Sequence, residues 1–304
     1  MKLGIASAAL PRLSLEQLAE WSSENGFEAL ELMCWPVSKA DRRYGGVTHL
    51  DVAAFTSAAA ETVRAMMQRR RLEISGLGYY PNPLAADPVQ RELAIEHLRK
   101  VIAAAGELGI GVVNTFIGRD KNRSIEANLE EFARVWPPII RFARSHQVKI
   151  AIENCPMIFT SNEWPGGNNL AISPAVWRKM FEIIPDENFG LNFDPSHLVW
   201  QMIDYCRAVR EFGPRIFHVH AKDLEIDRDA LYEHGVMSLG MHWQIPRLPG
   251  LGEVKWAELF AALYAAGYDG AVCIEHEDRG FEKTEELVKR GLLIARDVLR
   301  PYLH

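Results

Sequence analysis

Four short segments of this chain end in residues of types that can bind metal ions. Lys149-Ile150-Ala151-Ile152-Glu153 closes on Glu153, and Gly190-Leu191-Asn192-Phe193-Asp194 closes on Asp194. Ile216-Phe217-His218-Val219-His220 closes on His220, and Ala271-Val272-Cys273-Ile274-Glu275 closes on Glu275. Each reads as a buried strand, in which residues two apart share a face. Counting back from the polar ends, the opposite face carries Ile152 and Ile150, Phe193 and Leu191, Val219 and Phe217, and Ile274 and Val272. All are large and apolar, as residues beneath a layer of helices must be. The polar ends therefore share the inner face of consecutive strands. A single glutamate at a strand end is ordinarily a cap or an ion-pair partner. Three carboxylates and an imidazole in one place are different: they repel and lose hydration together. One divalent cation relieves both. The donor set is mostly hard oxygen, which suits Mn²⁺ first, with Mg²⁺, Co²⁺ or Zn²⁺ compatible.

Such a centre suits proton transfer at carbon. A proton next to a carbonyl is weakly acidic, and a cation on the carbonyl and adjacent hydroxyl oxygens stabilises the enediolate left behind. Two carboxylates on opposite sides of the substrate can then remove and return the proton. Return on the same face gives isomerisation or retention; return on the opposite face gives epimerisation. Trp35, Tyr79 and Phe116 follow strands and offer faces to a sugar ring, although rim packing is the ordinary role of such residues. Lys222 is placed to touch a substrate oxygen or to pair with Asp223, and His242-Trp243 is a candidate pocket lining. His218 faces inward one step below His220 and reads as a supporting core histidine, whereas His276 faces outward. Cys155 and Cys273 lie near these residues without a pattern that activates a thiolate. Arg119-Asp120-Lys121-Asn122-Arg123 carries charge but lacks a glycine-rich phosphate cradle.

These side chains need a scaffold that brings strand ends together. Strand-like runs at Leu3–Ala6, Ala29–Leu32, Glu73–Leu77 and Val112–Phe116 precede the four already named, making eight. Helical patterns separate them. The first opens with Ser14 and Gln17 as a capping box. The others are Asp51–Arg69, Pro88–Leu108, Ser124–His146, Pro174–Ile184, Ile203–Phe212, Lys255–Ala266 and Glu282–Leu299. Eight strand-then-helix units define an α/β protein with a parallel sheet, and their number and length predict a single (β/α)8 TIM barrel over residues 1–304. A doubly wound sheet for a dinucleotide is disfavoured, because the first turn, Ala6-Ser7-Ala8-Ala9-Leu10-Pro11, lacks the glycine fingerprint. Two connections are long. The loop after strand 5 carries Trp164-Pro165-Gly166-Gly167-Asn168-Asn169, and the loop after strand 7 runs from Lys222 to Val254. On a barrel both lie on the catalytic face, as walls or lids.

Composition sets the remaining bounds. The chain has 304 residues, with 34 Lys and Arg against 40 Asp and Glu, for a net charge of −6. That disfavours nucleic acid as a partner. Its four cysteines, Cys34, Cys155, Cys206 and Cys273, are scattered and read as free thiols in a reducing compartment. No apolar run is long enough for a membrane span. The first residues enter a strand directly, leaving no room for a signal peptide, so a cytoplasmic location is expected.

Ile152-Glu153-Asn154, Asn192-Phe193-Asp194-Pro195-Ser196-His197, His218-Val219-His220-Ala221-Lys222-Asp223, Pro249-Gly250-Leu251-Gly252-Glu253-Val254 and Ile274-Glu275 also form a recognisable set. The chain resembles the xylose isomerase-like barrel superfamily, the sugar phosphate isomerases and epimerases. That group includes D-tagatose/D-psicose 3-epimerases, hydroxypyruvate isomerases, inosose dehydratases and endonuclease IV. The resemblance covers essentially the whole chain and discriminates poorly between substrates. It implies one divalent metal held by Glu153, Asp194, His220 and Glu275, with Glu153 and Glu275 also acting as acid and base. It implies that His197 contacts substrate and that Arg247 corresponds to an arginine in the loop after the ligand histidine. The substrate would be a small carbohydrate, and a second copy or a partner subunit fits the group's habits. Endonuclease IV-like enzymes need further histidines after early strands, where this chain has Tyr79-Tyr80-Pro81 and Ile117-Gly118. Three readings follow: an isomerase or epimerase, a lyase or dehydratase acting on a keto-inositol or 3-keto-glycoside, and a metal- and sugar-binding subunit without turnover. The intact pair Glu153 and Glu275 weighs against the third, because a binding module needs no second base.

Overall fold

Apolar runs form the strands and amphipathic segments form the helices between them. The computed structural model describes residues 1–37, 45–158, 167–236 and 242–303. Seven strands come first: β1 (Lys2–Ala6), β2 (Ala29–Met33), β3 (Glu73–Gly78), β4 (Val112–Thr115), β5 (Lys149–Glu153), β6 (Phe189–Phe193) and β7 (Ile216–Ala221). Two more, β8 (Asp223–Ile226) and β9 (Gln244–Arg247), pair antiparallel as a separate ribbon. The last, β10 (Ala271–Ile274), returns to the main sheet. The sheet closes in the order β1-β10-β7-β6-β5-β4-β3-β2, and Lys2 pairs with Ala271 at the seam. The (β/α)8 barrel is therefore present.

Its helices are α1 (Leu15–Glu24), α2 (Ser57–Arg70), α3 (Pro88–Leu108), α4 (Ile125–Ser145), α5 (Pro174–Ile183), α6 (Ser196–Val199), α7 (Tyr205–Phe212), α8 (Arg228–His234), α9 (Trp256–Ala265) and α10 (Glu285–Leu299). The Ser14–Gln17 capping box opens α1, and the Asp87 and Ser124 side chains cap α3 and α4. Each cap stabilises by about 1 kcal/mol. Three helices begin later than the apolar pattern predicts. The Asp51 carboxylate turns the chain by accepting from Ala53 N, and α2 starts only after Thr56. Asp204 and Thr284 likewise set the starts of α7 and α10. In each case a short polar side chain satisfies free backbone N–H groups that apolar periodicity does not register.

Strand alternation holds. Ile150, Ile152, Leu191, Phe193, Val219, Val272 and Ile274 are fully buried under the helices, each contributing about 1.5–3 kcal/mol. Phe217 differs: it is half-buried, with Lys149 Nζ 4.8 Å from its ring centroid. Inside the barrel, β3 carries Gly78 where a Cβ would lie 2.7 Å from Glu31 Oε1. The missing side chain makes room for a buried glutamate on β2. The register between β2 and β3 also slips at Leu30/Glu31, where Ser75 is the extra residue. Asp194 and Glu275 fall one residue beyond their strands, on the loops of the C-terminal face. The four cysteines are free thiols. Among the described residues, no helix is long and apolar enough to cross a membrane.

Candidate metal centre

Glu153, Asp194, His220 and Glu275 converge: one donor atom from each lies within 4.8 Å of the others. They come from four consecutive strands of the barrel, β5, β6, β7 and β10, or from the residue just beyond. Glu153, Asp194 and His220 are buried, and Glu275 is the most open. His220 Nδ1 lies 3.3 Å from Glu275 Oε2 and 3.8 Å from Glu153 Oε1. Two ligands about 2.1 Å from one ion lie roughly 3–3.5 Å apart, so these spacings suit a shared cation. Among the described residues His220 Nδ1 is buried without a hydrogen-bond partner. A buried polar nitrogen left unmatched costs about 1–3 kcal/mol. The one nitrogen and three carboxylates therefore fit a divalent ion.

Backbone contacts hold the carboxylates. Asn154 grips Asp194 twice: its Nδ2 donates to Asp194 O and its Oδ1 accepts from Asp194 N, both at 2.8 Å. Asp194 Oδ1 accepts from Ser196 N at 2.8 Å, leaving Oδ2 toward the centre. Asn169, from the loop after β5, is a staple. Its Oδ1 accepts from Ile117 N and Gly118 N, and its Nδ2 donates to Glu153 O and Cys155 O. The Asn168-Asn169 part of that loop thus joins β4 to β5, and Trp164, Pro165 and Gly166 lie outside the described residues.

Lys222 supplies a buried positive charge. Its Nζ lies 2.7 Å from Glu275 Oε2, 3.0 Å from Asp194 Oδ2 and 3.2 Å from Glu277 Oε2. Nζ is also 3.1 Å from His197 Nε2, which lies 3.3 Å from Asp194 Oδ2 and 3.5 Å from Glu153 Oε1. Burial opposes charge on Lys222, but Asp194, Glu275 and Glu277 outweigh it and hold the ammonium well above its ordinary pKa. Burial would raise the Glu275 carboxyl, yet Lys222 and His220 depress it to about 2, against the adjacent charge of Glu153. Lys222 does not pair with Asp223. That carboxylate points into the following loop, accepting from Leu224 N, Gly250 N, Val254 N and Trp256 Nε1 at 2.8–2.9 Å.

The sequence pattern of the xylose isomerase-like TIM barrels matches residues 19–298. The chain belongs to that family. Among its relatives, protein YfiH of Bacillus subtilis (strain 168) is 26% identical over 303 residues, 91% of this chain and 93% of its own. An inosose dehydratase of Geobacillus thermodenitrificans (strain NG80-2) is 30% identical over 113 residues, 36% of this chain and 38% of that enzyme. Two solved structures share the fold. The IolI protein with a bound zinc atom superposes with a TM-score of 0.73 at 17% identity, covering 100% of this chain and 99% of that one. D-psicose 3-epimerase with D-tagatose, from Clostridium cellulolyticum H10, gives 0.69 at 16% identity, with 100% of both chains covered.

Within this xylose isomerase-like barrel, other residues singled out from sequence sit further out. Arg247, on β9, is engaged on the wall: Nε donates to Glu225 Oε2 at 2.7 Å, and another nitrogen lies 3.4 Å from buried Asp278. The connection after β7 is not an open loop. It carries the β8–β9 ribbon and α8, and Trp243 packs with Trp200 and Leu224 in a small apolar cluster. His242 is exposed, its ring 6.0 Å from that of His234. Trp35 and Tyr79 pack edge to face at 5.0 Å, and Tyr79 in turn against His97. The next residue, Tyr80, faces the centre, with Oη 3.4 Å from His220 Nε2 and Phe116 against its ring. His276 is buried and lines a cavity of about 790 Å³ with Leu10, Arg12, Val47 and Thr284.

Sequence reasoning missed Glu31. It is fully buried on β2, and its Oε2 lies 2.6 Å from His220 Nε2. The signal was available, since Leu30-Glu31-Leu32 places one carboxylate between two apolar residues on the opposite face. Inspecting only strand ends passes over it. Below it, His218 bridges Asn192 Oδ1 and Ser75 Oγ at 3.0 Å, a supporting role deep in the barrel. Burial, against the pull of Glu31, lowers its pKa to about 4 and keeps it neutral.

Proposed function

We propose that this chain is a divalent-metal-dependent isomerase or epimerase of a ketose or keto-polyol, held to its metal by Glu153, Asp194, His220 and Glu275. One observation carries the reading: the four donors converge around a buried imidazole nitrogen with no other partner among the described residues. When bound, the ion supplies positive charge next to the substrate carbonyl, which favours the enediolate. Glu153 and Glu275 stand on the outer two of the four ligand-bearing strands, so they flank whatever lies between. One takes the proton from carbon and the other returns it. Lys222, fixed against Glu275, keeps that carboxylate ionised. His197 is within reach of a substrate hydroxyl beside the same carboxylates. The epimerase and zinc-bearing neighbours agree with this chemistry while fixing no substrate.

The position of Lys222 favours a second reading. A buried ammonium beside the metal carboxylates can hand a proton to a departing hydroxyl, which a dehydratase requires. The inosose dehydratase relative points the same way over about a third of the chain.

The test is solvent exchange. Protein loaded with Mn²⁺ is incubated with a panel of ketoses in D₂O, and deuterium is sought at the carbon next to the carbonyl. Exchange that disappears in Glu275→Gln supports the isomerase or epimerase. Bound metal with release of water from a keto-inositol, and no ketose exchange, favours the dehydratase. A protein that binds no divalent metal refutes both.

A further inference from the structure

We propose that Glu31 is a positioning residue: it fixes the tautomer of His220 with Nε2–H toward Glu31, so that Nδ1 is the atom offered to the metal. The inference rests on the metal-centre reading above. Glu31 and His220 stand 189 residues apart, on β2 and β7, and meet inside the barrel. Their 2.6 Å contact leaves no space for an ion between them, so Glu31, His218 and His220 do not make a second metal site. A carboxylate can only accept, so the proton of this contact belongs to Nε2. Asn192 Nδ2 and Tyr80 Oη also lie near Nε2, and each has an oxygen other than this nitrogen to donate to. The Asn192 Nδ2 amide, 3.1 Å away, is itself a donor and donates to Tyr80 Oη at 3.2 Å. Tyr80 Oη donates to Glu31 Oε1, which also accepts from Asn114 Nδ2 at 3.0 Å. Both carboxylate oxygens are thus held, and Gly78 leaves the space in which they sit.

The opposite tautomer is disfavoured. It would set a buried lone pair against a buried carboxylate at 2.6 Å. It would also leave Nδ1 protonated toward Glu275 and Glu153, where the ion must go. A carboxylate behind a ligating imidazole raises its basicity and fixes its ring, and its loss ordinarily weakens metal binding by about 10–100-fold.

Nitrogen-15 NMR of the Zn²⁺-loaded wild-type protein reads the tautomer directly. The expected spectrum has His220 protonated at Nε2 and coordinated through Nδ1. Coordination through Nε2 overturns the proposal while leaving the metal centre intact, whereas failure to bind Zn²⁺ at all overturns both. Chelator competition then compares variants. Glu31→Gln should bind Zn²⁺ about 10–100-fold more weakly. Tyr80→Phe, which keeps the carboxylate but removes one of its donors, should lose less. A purely structural Glu31 would lower the melting temperature and leave the affinity of the folded protein unchanged, which also overturns the proposal. The wild-type spectrum decides the matter even where Glu31→Gln does not fold.

Discussion

Replacing Lys222 with methionine should destabilise the metal-free protein and sharpen its response to metal. The side chain is buried, and its ammonium lies 2.7, 3.0 and 3.2 Å from oxygens of Glu275, Asp194 and Glu277. Methionine fills most of the volume but removes the charge. Breaking a buried pair from one side costs about 3–5 kcal/mol, because the partner charges remain. The titration of Glu275 gives a similar figure. Burial would raise its carboxyl, but Lys222 and His220 bring it from 4.5 to about 2, worth about 3 kcal/mol of folding stability at neutral pH. The sign follows from that depression. The contribution is complete above the unfolded value and fades as pH falls toward the folded one. The gap between wild type and variant should therefore be widest near neutrality and narrow below pH 4.5. At about 2–3 °C per kcal/mol for a chain of this size, thermal unfolding in chelator should show a loss of roughly 6–15 °C. Added Mn²⁺ should raise the melting temperature more in Lys222→Met than in wild type. The variant lacks a competing positive charge, binds the ion more tightly and gains more by linkage. A metal-free melting temperature within about 2 °C of wild type, or an equal response to Mn²⁺, would refute the reasoning.

Glu153→Gln and Glu275→Gln should each lower ketose deuterium exchange by at least about 100-fold, measured by NMR at saturating metal so that weakened binding is not mistaken for lost chemistry. Asp194→Asn should weaken divalent-metal affinity in chelator competition while keeping the Asn154 clamp, which uses the backbone of Asp194. Asn169→Ala leaves two backbone N–H groups and two carbonyls without their partner, and should cost about 3 kcal/mol or more in urea unfolding. Asp223→Asn should destabilise by about 2–3 kcal/mol and leave metal affinity unchanged. Its four contacts are with Leu224, Gly250, Val254 and Trp256, and none is with Glu153, Asp194, His220 or Glu275; a metal affinity that fell with it would contradict that separation.

The placement of Glu153, Asp194, His220 and Glu275 was legible in the sequence because strand alternation is local. Each polar residue sits in phase with apolar neighbours that must face the helices, and those neighbours are buried, apart from the half-buried Phe217. Helix ends were legible where a capping residue adjoins the apolar pattern, as at Ser14, and misplaced where a Thr or Asp lies inside it, as at Thr56 and Asp204. Directions of long charged side chains were not legible. Lys222 turns into the carboxylates while Asp223, its neighbour, turns into a loop about thirty residues further on. Arg247 meets Glu225 because an antiparallel ribbon forms where sequence shows only a long connection. By itself, then, the sequence determined the order of the eight barrel strands and of the helices between them, and which strand residues face inward, since both follow from the backbone period and local hydrogen-bond competition. Only the tertiary structure decided which inward groups touch. Closing the barrel brings Glu31 on β2 against His220 on β7, and that contact depends on register, on strand curvature and on the empty space at Gly78.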